Sequence, residues 1–366
     1  MNGDIDIIRG GRHVFRALVL GLSLAALAGA SRAADPAALD AFFVKIADVA
    51  VGEKTSRFDY QSLDPTTGRL FVAKMGSGRL LVFDTAKQRR AAELTGFPKV
   101  TGVLAVPELH KLYASVPGAG IGAALSVAAG IAGLSSGSGG VAILDSDTLR
   151  ELARVPAGVF PDGIAYDPDD RRIFVSDELG GALTVIDAET NKPVARIELG
   201  GEVGNVQYDP ATRKIYAPVQ SQGELAIIDP KDNRLIDRFP IPGGKHPHGL
   251  HIAPGAPIAY VACDGDDRLL IVDLEGRKVL DTLPLGHDPD VLAADPALKR
   301  LYVASESGML SIFDATTPAK PVKLGDVFVG PDAHSVAVDP GTHRLFLPLR
   351  DVGGGAVMRV LEARGR

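Results

Sequence analysis

Short apolar runs alternate with clusters of Asp, Gly, Pro and Asn along most of the chain. The clearest unit contains four such runs, which end at Asp167, Ser176, Asp187 and Leu199. Runs of about four to eight β-branched and aromatic residues, bounded by turn residues, are typical of antiparallel strands joined by tight turns. The pattern predicts a unit of four short strands, which we label A to D in chain order.

The same unit occurs seven times. Its A strands end at Asp64, Val106, Asp167, Asp209, Ala253, Asp295 and Asp339, at intervals of 42, 61, 42, 44, 42 and 44 residues, and a proline follows each of them. An aromatic residue recurs in strand B, at Phe71, Tyr113, Phe174, Tyr216, Tyr260, Tyr302 and Phe346. An acidic residue closes strand C, at Asp84, Asp145, Asp187, Asp229, Asp273, Asp314 and Glu362. Such repetition of four-stranded units predicts an all-β, seven-bladed β-propeller with antiparallel blades.

The two ends of the chain complement each other. The last unit reaches the end of strand C at Glu362 and then stops without a D strand. Residues 43–52, which precede the first A strand, have the pattern of a D strand. We therefore expect the N-terminal strand to complete the seventh blade and to close the ring, which removes a free sheet edge.

Residues 1–33 have the organisation of a cleaved signal peptide. Three arginines precede an apolar stretch from Ala17 to Ala28, and a small-x-small motif ends at Ala33. The apolar stretch is short for a membrane span, and an uncleaved anchor is the alternative. The sequence predicts a periplasmic or secreted propeller domain over residues 34–366, with no transmembrane span after cleavage.

Charge and cysteine content narrow the choice of partners. The formal net charge is −6, which disfavours nucleic acid as a partner because such binding needs a basic surface. Cys263 is the single cysteine, so the chain has neither a disulfide framework nor the motif for a covalent c-type haem. We expect a small-molecule ligand or a periplasmic protein as partner. The cofactor is unknown, with a divalent metal ion as the candidate.

The strand B segments Phe174–Asp177, Tyr260–Cys263 and Tyr302–Ser305 resemble YVTN-repeat β-propellers, including the YncE-like exported proteins. The resemblance covers residues 41–362, and the lack of Trp separates the chain from WD repeats. It implies the propeller fold and export. It does not imply one activity, because such propellers include binding modules, lactonases and haem-carrying proteins such as nitrite reductases.

The loops from strand D of one blade to strand A of the next are expected to converge on the central channel, where binding residues accumulate on a rigid scaffold. Five residues before each A-strand end lie Asp59, Thr101, Asp162, Gly204, His248, Asp290 and His334. Five of these seven side chains can bind a metal ion or transfer a proton. The sequence therefore predicts a ligand site at this mouth of the channel.

Histidine is concentrated on the same predicted face, over three adjacent blades. The additional candidates are His246, His251, His287 and Asp332. Imidazoles combined with carboxylates suit transition metals, which makes His248, Asp290 and His334 the candidate metal ligands. The alternative is that these side chains hydrogen-bond to local backbone amides, as Asp and His often do at the start of a loop.

One interval is longer than the others because blade two carries an insertion in its B to C loop. This insertion, residues 117–140, has an apolar centre between glycine-rich ends. An apolar loop is unfavourable in water, so it is expected to pack on the channel mouth as a lid, on a partner or on a membrane surface.

Three functions are consistent with the sequence. The first is a scaffold that binds a ligand, a metal or a protein, which is favoured because no GxSxG, HExxH or P-loop motif is present. The second is a metal-dependent lactonase-type hydrolase, in which the metal activates water. The third is a propeller that binds a tetrapyrrole noncovalently, with His248 or His334 as axial ligand.

Overall fold

The computed structural model describes residues 36–118 and 139–365. The predicted signal peptide and residues 119–138 of the insertion lie outside the described residues. The described residues form seven four-stranded antiparallel sheets, which are the blades of a β-propeller. The predicted fold class is thereby confirmed.

Each of the first six blades is built from four consecutive strands. A short helix α1 (Pro36–Phe42) and strand β1 (Phe43–Glu53) precede them. Blade one comprises β2 (Gln61–Asp64), β3 (Arg69–Lys74), β4 (Arg79–Asp84) and β5 (Arg89–Thr95). Blade two comprises β6 (Val103–Val106), β7 (Lys111–Val116), β8 (Gly139–Asp145) and β9 (Glu151–Gly158). Blade three comprises β10 (Pro161–Asp167), β11 (Arg172–Asp177), β12 (Ala182–Asp187) and β13 (Lys192–Glu198).

The remaining blades continue in the same order. Blade four comprises β14 (Gln207–Asp209), β15 (Lys214–Val219), β16 (Glu224–Asp229) and β17 (Arg234–Pro240). Blade five comprises β18 (Pro247–Ile252), β19 (Ile258–Cys263), β20 (Arg268–Asp273) and β21 (Lys278–Pro284). Blade six comprises β22 (Pro289–Asp295), β23 (Arg300–Ser305), β24 (Met309–Asp314) and β25 (Val322–Phe328). Single 3-10 turns lie at Met75–Ser77, Pro107–Leu109 and Gln220–Gln222.

The seventh blade joins the two ends of the chain. Its strands are β26 (Ala337–Asp339), β27 (Arg344–Val352), β28 (Gly355–Ala363) and, outermost, β1. Strand β1 pairs antiparallel with β28, from Phe43 opposite Ala363 to Glu53 opposite Gly355. The prediction that the N-terminal strand closes the ring is confirmed.

The hydrophobic core lies between the blades rather than within any one of them. Each apolar cluster combines side chains of two neighbouring blades; Phe71 of blade one, for example, packs in a cluster with Leu112 of blade two. The repeated aromatic of strand B is 0 to 3% exposed in every blade. Strands B and C are therefore buried on both faces, and each blade depends on its neighbours for its core.

The repeated acidic columns have a structural role. Asp187 accepts the backbone N–H groups of Glu189 and Thr190 at 3.1 and 2.8 Å, and Asp209 accepts that of Ala211 at 3.0 Å. Such Asx turns close the tight A to B and C to D connections. These aspartates therefore recur because they stabilise the turns, and they do not form a ligand site.

No helix among the described residues has the length and apolar character that a membrane crossing requires.

Candidate functional site

Three A strands begin with a proline and carry a β-bulge beside it. Register shifts follow Pro161 in blade three, Pro247 in blade five and Pro289 in blade six. Proline has no N–H for the ladder and is tolerated at the first residue of a strand. A bulge redirects the local side chain, and the residues after these prolines are Asp162, His248 and Asp290.

The A strands approach one another so closely at this level that backbones of adjacent blades are in contact. The Asn205 N–H donates to the His248 carbonyl at 3.0 Å. A Cβ at Gly204 would lie 2.6 Å from the same carbonyl oxygen, and a Cβ at Gly249 would clash with the Asp290 carbonyl. Glycine is required at both positions because a neighbouring backbone fills the space of the side chain.

A cavity of about 470 Å³ opens at this end of the channel, and we call it the mouth cavity. Thr101, Phe160 and Tyr60 line it together with Asp59, Asp162, His248 and Asp290. Its acidic side chains are Asp59, Asp162, Glu178, Asp264, Asp288, Asp290 and Glu306. The structure thus brings five of the predicted channel-mouth residues into one cavity.

His334 lies behind this cavity. It is 2% exposed, and its Nε2 lies 4.0 Å from Asp290 Oδ2. One ligand atom each from Asp59, Asp290 and His334 lies within 4.8 Å of the others. Burial, with the nearby Arg57 charge, lowers the pKa of His334 to about 3, so its imidazole is neutral.

Three buried carboxyl groups dominate the electrostatics of the cavity. Desolvation raises the pKa of Asp59 to about 8, although the Arg57 charge opposes the shift. Desolvation also raises the pKa of Asp162 well above its usual value, and neighbouring carboxylates add to the effect. Desolvation raises the pKa of Asp290 as well, although the charges of His248 and Arg57 oppose the shift. A cation that enters the cavity would stabilise the ionised form of these three carboxyl groups.

Arg57 provides the guanidinium group that faces these acids. Its Nη1 donates to Glu306, its Nη2 lies 3.5 Å from Asp290 Oδ2, and its Nε lies 3.8 Å from Asp59 Oδ2. The last two distances exceed those of charge-assisted hydrogen bonds, which are about 2.7–2.9 Å. Arg57 therefore offsets part of the negative charge of the two aspartates but leaves their oxygens able to bind another partner.

His248 belongs to a second group of polar contacts at the centre of the channel. The Tyr60 hydroxyl donates to Asn205 Oδ1 and lies 3.1 Å from His248 Nε2. Because that hydroxyl proton goes to Asn205, His248 Nε2 is the donor to the Tyr60 oxygen. His248 Nε2 is also 3.5 Å from Asp290 Oδ1. This nitrogen is therefore not a free metal ligand.

The other candidates have separate partners. His246 Nδ1 lies 2.6 Å from Asp264 and its Nε2 3.2 Å from Glu202, and these carboxylates outweigh burial to raise its pKa. His287 is exposed and lies between Asp267 and Asp288. Asp332 pairs with Arg350. The hydroxyl of Thr101 donates to the Pro161 carbonyl at 2.8 Å.

His251 does not join the others at the mouth cavity. It lies further along β18, opposite Tyr260, and its ring stacks on that tyrosine with an interplanar angle of 7°. It contributes instead to two other cavities, one of them along the A strands. Burial lowers its pKa to about 4. Its position further along β18, beyond the bulge at His248, explains the difference.

Five residues of the cavity and its surroundings did not stand out in the sequence: Arg57, Tyr60, Glu178, Asn205 and Glu306. Arg57 and Tyr60 flank Asp59, and Asn205 follows Gly204, so the channel-mouth column pointed to their loops but not to their side chains. Glu178 and Glu306 directly follow strand B of blades three and six, at loops of the same face. A search of both loop types would have found them.

Comparison with known proteins supports the fold alone. No family model matches the chain, and no curated protein sequence matches it. Among solved structures, the chain is similar to a chain of hydrazine synthase from Kuenenia stuttgartiensis, with 18% identity, a TM-score of 0.67, and coverage of 86% of this chain and 97% of the other. It is also similar to U3-55K, with 10% identity, a TM-score of 0.69, and coverage of 87% and 98%. At these identities the likeness shows a common propeller fold.

Proposed function

We propose that this protein is a binding protein whose mouth cavity takes up a small, positively charged ligand. The observation that carries the proposal is the acidic lining of that cavity: seven carboxyl groups, one guanidinium and the His248 imidazole are among its described lining residues. Burial makes the carboxyl groups of Asp59, Asp162 and Asp290 costly to ionise, and a cation that enters the cavity offsets that cost. A rigid ring of A strands holds the acids in place before the ligand arrives, which limits the entropy lost on binding.

The arrangement favours a cation over a tetrapyrrole. An axial ligand to haem iron needs a free imidazole nitrogen. His248 Nε2 is directed to the Tyr60 oxygen. His334 Nε2 has no hydrogen-bond partner among the described residues, but it is buried and lies 4.0 Å from Asp290 Oδ2, so a large planar ligand would have to displace that carboxyl group to reach it.

Titration with 1,4-diaminobutane tests the proposal. We expect the diamine to bind the full chain in calorimetry and to raise its unfolding temperature, because a ligand that binds the folded state stabilises it. Asp162→Asn keeps the shape of a buried side chain and removes a carboxyl group that can ionise when a cation enters the cavity. It should weaken binding about tenfold, or about 1.4 kcal/mol.

Asp147→Asn is the matched control, since Asp147 is an exposed aspartate in a C to D turn at the other end of the blade. It should bind the diamine as the unsubstituted chain does. Equal binding by both variants, or no binding of diamine and of divalent cations by the unsubstituted chain, would refute the proposal.

We also propose that the protein is exported, as a YVTN-type propeller with residues 1–33 as its cleaved signal. The support is the sequence pattern of three arginines, an apolar stretch and a small-x-small motif that ends at Ala33. Expression of the full chain in a bacterial host, followed by cell fractionation and intact mass measurement, tests it. We expect a periplasmic product that begins at Ala34. A full-length product in the membrane fraction would instead indicate an uncleaved anchor.

A further inference from the structure

The cluster of Asp59, Asp290 and His334 has the geometry of a metal centre. The three side chains come from blades one, six and seven, and one ligand atom of each lies within 4.8 Å of the others. Donor atoms about 2.0–2.2 Å from a metal ion are about 3–4 Å from each other. The three ligand atoms are therefore already close to that spacing.

Two unpartnered atoms at this cluster point to a ligand. His334 Nε2 and Asp290 Oδ1 are buried and have no hydrogen-bond partner among the described residues, and the nearest contact of Asp290 Oδ1 is His248 Nε2 at 3.5 Å. Their side chains are 2% and 12% exposed. A buried polar atom without a partner costs about 1–3 kcal/mol, so such atoms are rare unless something else binds them.

The other nitrogen of His334 is already held. The imidazole forms a hydrogen bond with the backbone of Phe58, and since Nε2 has no partner, this bond engages Nδ1. Histidine ligands to metals typically donate one ring N–H to a backbone carbonyl or a carboxylate, which orients the lone pair of the other nitrogen. His334 thus presents a fixed, neutral donor beside two carboxyl groups.

We propose that Asp59, Asp290 and His334 bind a divalent first-row transition metal ion at the base of the mouth cavity. This inference rests on the proposed function and specifies which cation binds at one position in the same cavity. An imidazole nitrogen selects such an ion over Mg²⁺ and Ca²⁺, which prefer oxygen ligands. His248, which the sequence placed among the ligands, is replaced by Asp59.

Arg57 occupies the space next to this centre as a competing charge. Its guanidinium lies 3.8 Å from Asp59 Oδ2 and 3.5 Å from Asp290 Oδ2, while its Nη1 is bound to Glu306. A metal ion that takes the two aspartates must overcome the repulsion of this cation. Arg57→Gln should therefore bind the metal more tightly than the unsubstituted chain, by about tenfold.

Cobalt titration of the chelator-treated full chain tests the site. We expect one equivalent of Co²⁺ to bind and to produce visible absorption bands of a protein-bound ion, and Zn²⁺ to displace it. His334→Ala should lose the bands and weaken Zn²⁺ binding at least a hundredfold. His110→Ala, an exposed histidine of the opposite face, should keep both. Circular dichroism and the unfolding temperature show whether each variant is folded.

The outcomes separate this inference from the proposed function. Diamine binding that is lost in Asp162→Asn, without any Co²⁺ equivalent, would overturn the metal centre and leave the cationic cavity intact. One Co²⁺ equivalent that persists in folded His334→Ala, or weaker metal binding in Arg57→Gln, would place the ion elsewhere and also overturn it. Should His334→Ala fail to fold, Asp290→Asn replaces it and should lose the bands as well. Absence of binding for both the diamine and the metal would reject both proposals.

Discussion

At the scale of single residues, two glycines set the positions of charged side chains at the mouth cavity. Gly249 lies against the Asp290 carbonyl, and Gly204 lies against the His248 carbonyl. These glycines allow the A strands of adjacent blades to touch at the neck of the channel. The acids that line the cavity therefore owe their spacing to residues that carry no functional group.

Gly249→Ala should disturb both stability and ligand binding. The added Cβ would clash with the Asp290 carbonyl and also lie 2.6 Å from Leu292 Cδ1. Overpacking of this kind costs about 1–3 kcal/mol, and the strand that carries Asp290 must shift. We expect a lower free energy of unfolding in urea and weaker diamine binding.

The control is Gly355→Ala, whose Cβ would lie 3.6 Å from the nearest atom. That distance is an ordinary contact, so the free energy of unfolding should change by less than about 0.5 kcal/mol. Similar losses in both variants would show that the close approach at Gly249 has no special role.

The orientation of individual side chains is what the sequence could not predict. The count of five residues before each A-strand end identified Asp59, Asp162 and Asp290 because the blades repeat. It could not show that His248 Nε2 donates to Tyr60, or that His251 turns to the stack with Tyr260. Those outcomes depend on bulges and on contacts between blades, which spacing along one chain does not contain.

At the scale of strands, the outer edge of every blade has the same irregularity. The pairing of strands C and D shifts register in each of the first six blades, between Val185 and Ile186 in blade three for example, and at two sites in blade two. Strand β1 shifts register against β28 between Lys45 and Ala47 and again between Ala50 and Gly52. A bulge increases local twist, so its recurrence keeps the seven blades alike. The D-strand pattern in residues 43–52 predicted the role of β1 but not this bulge.

The ion pair across the closing strands predicts a dependence of stability on pH. Hydrogen bonds from Arg359 lower the pKa of Asp48 against the opposing effect of partial burial, and Lys45 adds to the shift. A carboxyl group with a lowered folded pKa stabilises the fold above its unfolded pKa of about 3.9. That contribution is lost as the pH falls through the lower folded value.

Asp48→Asn should therefore lower the free energy of unfolding by about 1 kcal/mol at pH 7 and by much less at pH 2. Urea unfolding at the two pH values measures the difference. Asp232→Asn is the control, because the Asp232 pair with Arg234 is exposed and should contribute little at either pH. A loss in Asp48→Asn that is equal at both pH values would contradict the assigned role of the charge.

At the scale of the whole molecule, the closed ring and the asymmetric site have different origins. The ring follows from seven similar units, each of which needs two neighbours to bury its core. The site follows from differences among equivalent positions, which hold Asp59, Thr101, Gly204 and His334 in different blades. The repeat was therefore readable in the sequence, whereas the chemistry required the geometry of the ring.

Closure of the ring by β1 is expected to make the entire propeller unfold cooperatively. A chain that begins at Lys54 lacks β1, so β28 has an unpaired edge and the buried side chains of Phe43 and Val51 are missing. Loss of one buried Phe side chain costs about 3–5 kcal/mol, a large part of the stability of a typical domain. An unpaired edge also promotes association between chains. We expect this chain to unfold at lower urea concentration, over a broader transition, and to form oligomers in size-exclusion chromatography.

A chain that begins at Phe43 is the matched comparison, because it lacks α1 and keeps β1. It should remain monomeric with a single sharp transition. A synthetic peptide of residues 43–53, added to the shorter chain, should restore the monomer by supplying the missing strand. If the two truncated chains unfold at the same urea concentration, the seventh blade does not depend on its N-terminal strand, and the ring is held by contacts between blades alone.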